Sequence, residues 1–147
     1  MPSPDHDYAL ASRVWALGLA FEARLARELI ALNLSVADFR LIGEVMVAPA
    51  GLRQSELSRR LGVTAPTVSA AVSRLERAGV LRRRVDPDDP RAKRVYLSQA
   101  APLKPGLEVL QRLDAILRAG LSSADRTRLP GLLDELAGRL AADVDEA

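Results

Sequence analysis

Twelve lysines and arginines lie between Leu52 and Lys104 against five acidic residues, a local charge of +7, while the rest of the chain carries 9 against 14, or −5. Arg74, Arg77, Arg82, Arg83, Arg84, Arg91, Lys93 and Arg94 form the densest part of that basic stretch. Cations gathered on one segment suit a polyanion, because neutralising phosphates releases condensed counterions and that release supplies much of nucleic-acid affinity. An arginine-rich solvated face is the alternative reading of the same charges. Interleaved with the arginines are the smaller residues Pro66, Thr67, Ser69, Ala70 and Ser73. Side chains of that size let a helix come close to base edges, and Thr67 or Ser69 near a helix start could donate to a phosphate or a base. Arg74 and Arg77 would add phosphate or guanine contacts, with Lys93 further along on the same basic stretch.

Other chemistry lacks its parts. With no cysteine in the chain, disulfides, thiolate metal sites, thiol nucleophiles and cysteine-based redox sensing are excluded. His6 is the only histidine. There is no Gly-rich phosphate loop, no G-x-S-x-G elbow and no metal-ligand spacing, so the reading is a protein that is not an enzyme and needs no cofactor or metal. Asp86, Asp88 and Asp89 are carboxylates in a stretch packed with arginines, where ion pairing is the plainer role. No apolar run reaches the roughly 18 residues of a membrane span, and Met1 to Asp7 has neither the basic start nor the apolar stretch of a signal peptide. A cytoplasmic protein without a membrane partner is expected.

The elements that must position these residues are legible from periodicity. The chain has 147 residues, 48% hydrophobic and 3% aromatic, which suits a single domain with a core of Leu, Val and Ala and a bias toward helices. From Tyr8 to Leu32, Leu10, Val14, Leu17, Phe21, Leu25, Leu29 and Leu32 recur at helical spacing, and Trp15, Leu19, Ala26 and Ile30 form a second stripe. A helix with two apolar faces asks for two partners, its own core and a second subunit. Ser35 with Asp38 reads as a capping box opening a helix through Val47, broken by Pro49-Ala50-Gly51. Gln54 to Leu61 is a short helix with Leu57 and Leu61 inside, ended by Gly62; Thr64 caps the next, with Pro66 in its first turn and Gly79 ending it. Val68, Ala71, Val72 and Leu75 make that helix's inner face, leaving Pro66, Ser69, Ala70, Ser73, Arg74 and Arg77 outside.

Val80 to Val85 and Arg94 to Ser98 read as two strands joined by a charged loop, Asp86 to Lys93. Past Pro105, Leu107, Leu110, Leu113 and Leu117 mark a long helix, and Ser122 with Asp125 caps a last one that carries Pro130. The fold class is therefore mainly α with a small β-hairpin wing: a winged helix-turn-helix at about 36–98, flanked by helices at about 8–32 and 103–144. In this arrangement the second helix enters a major groove while the hairpin reaches the neighbouring backbone or minor groove.

At these residues the sequence resembles the MarR family, the multiple-antibiotic-resistance regulators of bacteria and archaea. The run from Glu56 to Ser69 is similar to the family's two helices, Leu75 to Arg83 to its approach to the wing, Asp86-Pro87-Asp88-Asp89-Pro90-Arg91-Ala92 to its wing signature, and Val95-Tyr96-Leu97-Ser98 to its return strand. The resemblance implies a homodimer whose first and last helices, at about 8–32 and 103–144, interlock as a dimerisation region, a repressor of transcription on a pseudo-palindromic double-stranded DNA operator, and a cleft that takes a small-molecule effector. It also implies that Arg91 enters the minor groove with Asp89 holding it in place. A narrow minor groove concentrates negative potential, which suits a guanidinium.

The sequence departs from the family pattern at three places. Pro90 stands where a basic residue is common, Ala70 where an arginine is common, and Gln99-Ala100-Ala101-Pro102 replaces Thr-x-x-Gly. The first two remove possible DNA contacts and keep a second reading open, a winged-helix protein-interaction module with weak or no DNA binding. Trp15 and Arg13 on the first helix are candidates for lining an effector cleft; packing in the core or a dimer interface is the competing role for Trp15.

Overall fold

The computed structural model describes residues 8–145; His6 lies outside the described residues. The chain divides into two units, one ending at Val109 and one beginning at Leu110. The first unit holds α1 (Ala9–Ile30), α2 (Val36–Met46), β1 (Leu52–Arg53), α3 (Gln54–Leu61), α4 (Ala65–Arg77), β2 (Leu81–Asp86) and β3 (Asp89–Leu97); α5 (Lys104–Arg118) begins in it, and α6 (Ser123–Asp145) lies in the second. This is the mainly helical, winged architecture that the periodicity predicts.

Short-range polar contacts set the helix ends. Ser35 Oγ accepts the Asp38 N–H at 3.0 Å while Asp38 Oδ2 accepts the Ser35 N–H at 3.1 Å, a reciprocal box that satisfies two otherwise unpaired donors of α2. Thr64 Oγ1 accepts the Thr67 N–H at 3.4 Å at the start of α4, with Pro66 in the first turn. Gly62 closes α3 in the left-handed region at φ 66°, and Gly79 follows α4 at φ 74°.

One core serves the helix-turn-helix and the sheet: Leu41, Ile42, Val45, Leu52, Leu57, Val68, Val72, Leu75, Val80, Leu81 and Val95 are buried together. Val68, Val72 and Leu75 come from the inner face of α4 at their i, i+4, i+7 spacing, so that face is sealed and the opposite one is left to solvent. Leu61, expected inside with Leu57, is only partly buried and packs at the core's edge, where α3 ends and the chain turns at Gly62. On α1 only Leu25 and Leu29 are buried; Leu10, Val14, Trp15, Leu17, Leu19 and Ile30 are exposed.

Two features of the sheet differ from expectation. It has three antiparallel strands in the order β1-β3-β2, the first being the two-residue Leu52–Arg53 that pairs with Val95 and Arg94. The hairpin is also longer: β2 runs to Asp86 and β3 starts at Asp89, so only Pro87 and Asp88 turn, where Asp86 to Lys93 reads as a loop in the sequence. The register explains how loop-forming residues enter a strand. Val85 faces Lys93 and Asp86 faces Asp89, with an irregularity between them. Pro90 falls in that bulged stretch, where its missing N–H costs no ladder bond.

In the second unit, Ser122 Oγ accepts the Asp125 N–H at 3.1 Å before α6, as the spacing predicts. Pro130 sits inside α6, and Leu129, Leu132, Leu133 and Leu140 are exposed. Among the described residues no helix is long and apolar enough to cross a membrane, and no cluster of His, Cys, Asp or Glu is placed to hold a metal ion.

Candidate nucleic-acid interface

The outer face of α4 carries most of the candidate residues. Pro66, Thr67 and Ala70 are exposed, Ser69 and Ser73 are half-buried, and Arg74 and Arg77 are exposed toward the C-terminal end. Thr67 has a local partner, its hydroxyl lying 2.8 Å from that of Thr64. Arg77 Nε donates to Ser73 O at 3.3 Å, which directs its stem along the helix while the rest of the guanidinium stays in solvent. Arg74 is engaged differently from what a free phosphate-binding arginine requires. Its Nη2 donates to Asp38 Oδ1, joining α4 to the capping residue of α2, although the Arg74 side chain is 54% exposed.

Behind the exposed face lies a residue that sequence reasoning counted only as one of three consecutive arginines. Arg83 on β2 donates through Nε to Gln54 Oε1 at 2.8 Å, through Nη1 to Glu76 Oε2 at 2.8 Å, and through Nη2 to Ser69 O and Ser73 Oγ, both at 2.9 Å. Its backbone N–H donates to Glu76 Oε1 at 2.9 Å. That backbone donor, followed by the guanidinium, holds the Glu76 carboxyl below the usual range. Two candidate contacts, Ser69 and Ser73, are therefore also acceptors in this network. The signal that could have singled out Arg83 is strand alternation, which puts it on the opposite face from Arg82 and Arg84.

The wing is built on a buried carboxylate. Asp86 is 2% exposed. Its Oδ2 accepts from Arg53 Nε at 2.6 Å and from Arg94 Nε at 2.9 Å, and its Oδ1 accepts the Asp88 N–H at 2.8 Å. The Arg53 hydrogen bond leads the causes that hold the Asp86 carboxyl far below the ordinary aspartate range against the opposing effect of desolvation. The same contact raises the Arg53 guanidinium. Arg94 also donates to the Gly51 carbonyl at 3.3 Å and lies 3.7 Å from Asp88. Gly51 is left-handed at φ 73°, and a Cβ there would meet the Tyr96 ring at 2.6 Å.

At the tip, Asp89 Oδ1 accepts the backbone N–H of Arg91 at 2.9 Å. Asp89 thus shapes the backbone beneath Arg91 through an Asx-type turn, and the Arg91 side chain is left exposed beside exposed Lys93 and Pro90. Fold and local bonding bring the α4 face and the Asp86-to-Arg94 wing into one unit with Arg83 between them. Trp15 and Arg13 lie on α1, both exposed. The small apolar pocket beside α4 is lined by Ala37, Arg40, Leu61, Val63, Thr67 and Ala71 among others, and by neither of them.

Comparison with known proteins agrees with this architecture. Residues 32–92 match the model of the MarR family. A solved structure described as MarR superposes with a TM-score of 0.82 at 23% identity, covering 99% of this chain and 100% of that one. Wild-type MarR from E. coli in its apo form gives 0.73 at 22% identity, covering 86% and 96%. A point mutant of MepR from S. aureus, bound to an oligodeoxyribonucleotide, gives 0.61 at 21% identity, covering 92% and 99%. Such identities speak for the shared fold.

Proposed function

We propose that the chain is a member of the MarR family, whose model matches residues 32–92, and that it is a transcriptional regulator that binds double-stranded DNA sequence-specifically as a homodimer. The observation that carries this reading is the division of labour among its arginines. Arg53, Arg83 and Arg94 are engaged by internal carboxylates and carbonyls, whereas Arg77, Arg91 and Lys93 are held on the same lobe with their charged ends exposed. Cations that the fold displays and does not neutralise are what a phosphate backbone requires.

In this reading two copies of α4 lie in successive major grooves of a pseudo-palindrome, about one helical turn apart. Pro66, Thr67, Ser69, Ala70, Ser73, Arg74 and Arg77 face the groove, while Asp89, Arg91 and Lys93 approach the flanking minor groove. The protein acts in the cytoplasm by binding, not catalysis, and represses by occluding polymerase. A small molecule that binds one lobe spacing better than another would lower DNA affinity by that difference in affinity.

Fluorescence anisotropy over a salt series tests it, with wild type and Arg91→Ala on a duplex from the gene's own upstream region and on a scrambled duplex. Preferential, steeply salt-dependent binding that weakens in the variant is expected. No binding to either duplex at low salt would instead favour the protein-interaction module that Ala70 and Pro90 leave open.

A further inference from the structure

We infer that Arg83 is a positioning residue for DNA binding: its guanidinium fixes the angle between α4 and the wing, so that the helix face and Arg91 engage one duplex together. The inference rests on the DNA-binding reading above and deepens it.

The covalent link between the two elements is short. Between the last residue of α4 and the first of β2 stand only Ala78, Gly79 and Val80, and Gly79 adopts φ 74° with no heavy atom within 4 Å of where a Cβ would lie. Gly79 closes the helix, with the Val80 N–H donating to Leu75 O at 2.9 Å, and buried Leu75, Val80 and Leu81 pack together on either side of it. Apolar packing carries little direction, and one side chain adds directional bonds across the junction. Arg83 reaches from β2 to a carbonyl and a hydroxyl on successive turns of α4, Ser69 O and Ser73 Oγ, to Glu76 near the end of the same helix, and to Gln54 at the start of α3. Four of the five guanidinium N–H donors are used, and Glu76 is gripped from both sides by the backbone and side chain of the same residue.

Such a planar fork fixes direction as well as distance. A lysine, with the same charge and one freely rotating donor group, cannot reproduce it. The Arg83 side chain is only 16% exposed, so its role is not that of a phosphate ligand. It acts through α4 and the wing. If the angle between them is set here, the grip of α4 on DNA and the grip of Arg91 are energetically coupled through Arg83, and loosening it makes each partly independent of the other.

A double-mutant cycle reads that coupling. Affinity for the upstream-region duplex is measured by anisotropy for wild type, Arg91→Ala, Arg83→Lys and the double variant, at a temperature where circular dichroism shows each fully folded. In the wild-type background, removing the Arg91 guanidinium is expected to weaken binding about tenfold, the usual scale for one specific interaction with DNA. In the Arg83→Lys background the same substitution should weaken it only about two- to threefold, because the wing is no longer held on its groove. Glu76→Gln, which leaves Arg83 and its charge in place, should reduce the cost of Arg91→Ala in the same direction and serves if Arg83→Lys does not fold.

A role confined to stability would lower the melting temperature and leave the cycle additive. An equal cost of Arg91→Ala in every background therefore overturns the inference and leaves DNA binding intact. Absence of duplex binding by wild type overturns the DNA-binding reading and this inference with it.

Discussion

Arg53 Nε donates to Asp86 Oδ2 at 2.6 Å, tying the strand that leads into the helix-turn-helix to the last residue of the first wing strand. The Asp86 side chain is wholly enclosed, whereas those of Arg53 and Arg94 keep 40% and 22% of their exposure. The carboxylate is thus the committed partner, and the arginines can return to water without it.

Asp86→Asn should therefore destabilise the protein at neutral pH, seen as a lower urea midpoint at fixed protein concentration. Because the folded state holds this carboxyl below its ordinary value of 3.8, its contribution is fully present above that value and fades as pH falls below it. Glu76, also lowered, fades in the same direction from its ordinary 4.5. Urea midpoints of wild type and variant should consequently converge as pH drops from 7 toward 3, and a gap independent of pH would count against the assignment.

Arg74 and Arg77 sit one turn apart on α4 but should behave differently toward salt. Arg77→Ala is expected to flatten the plot of log affinity against log salt by about 0.9 for each phosphate that the variant leaves unneutralised. Arg74→Ala should flatten it by less, since Asp38 already answers that charge. Asp38→Asn, which can still accept the Ser35 N–H of the capping box, should free Arg74 and steepen the plot. The slopes come from anisotropy titrations at four or five salt concentrations.

Gly51 and Gly62 are both left-handed, yet only Gly51 faces an obstacle, the Tyr96 ring. Gly62→Ala should cost about 1–2 kcal/mol for the backbone conformation alone. Gly51→Ala should cost a further 1–3 kcal/mol, roughly, for overpacking against the ring. Urea unfolding of the two variants at one protein concentration gives the comparison.

Local features were the ones legible in the sequence. The capping box at Ser35, the caps at Thr64 and Ser122 and the left-handed glycines 62 and 79 all act over two to four residues, so their spacing in the chain is their spacing in space. Asp86 was legible in kind, as a carboxylate meant for ion pairing, but not its partner Arg53, 33 positions away. Arg74 meets Asp38 across 36 positions and Arg83 meets Gln54 across 29. Such pairings exist only after the core has packed, and no periodicity announces them. The early start of β3 escaped for the same reason: Asp89 and Pro90 disfavour strands locally, and pairing with β2 overrides that preference.

Trp15 offers a reporter for assembly. It is the only tryptophan and is 71% exposed in the single chain, on a helix that also exposes Leu10, Val14, Leu17 and Leu19. An apolar surface of this kind ordinarily meets a partner. Sedimentation at micromolar concentration should give a dimer, and tryptophan emission should be blue-shifted relative to a Leu17→Arg variant that sediments as monomer. Emission typical of water at every concentration would mean Trp15 lies outside the interface.

The short turn at Pro87 and Asp88 has a thermodynamic consequence. A wing paired as far as Val85 and Lys93 and again at Asp86 and Asp89, with Asp89 shaping the backbone beneath Arg91 in the bulge between, is held in shape before any duplex arrives, so less conformational entropy remains for binding to remove. Discrimination at base pairs flanking the half-sites would then reflect how readily the DNA narrows and bends toward a nearly rigid arm, and stiff A-rich and flexible pyrimidine–purine flanks should be told apart without a single base-edge contact from the wing.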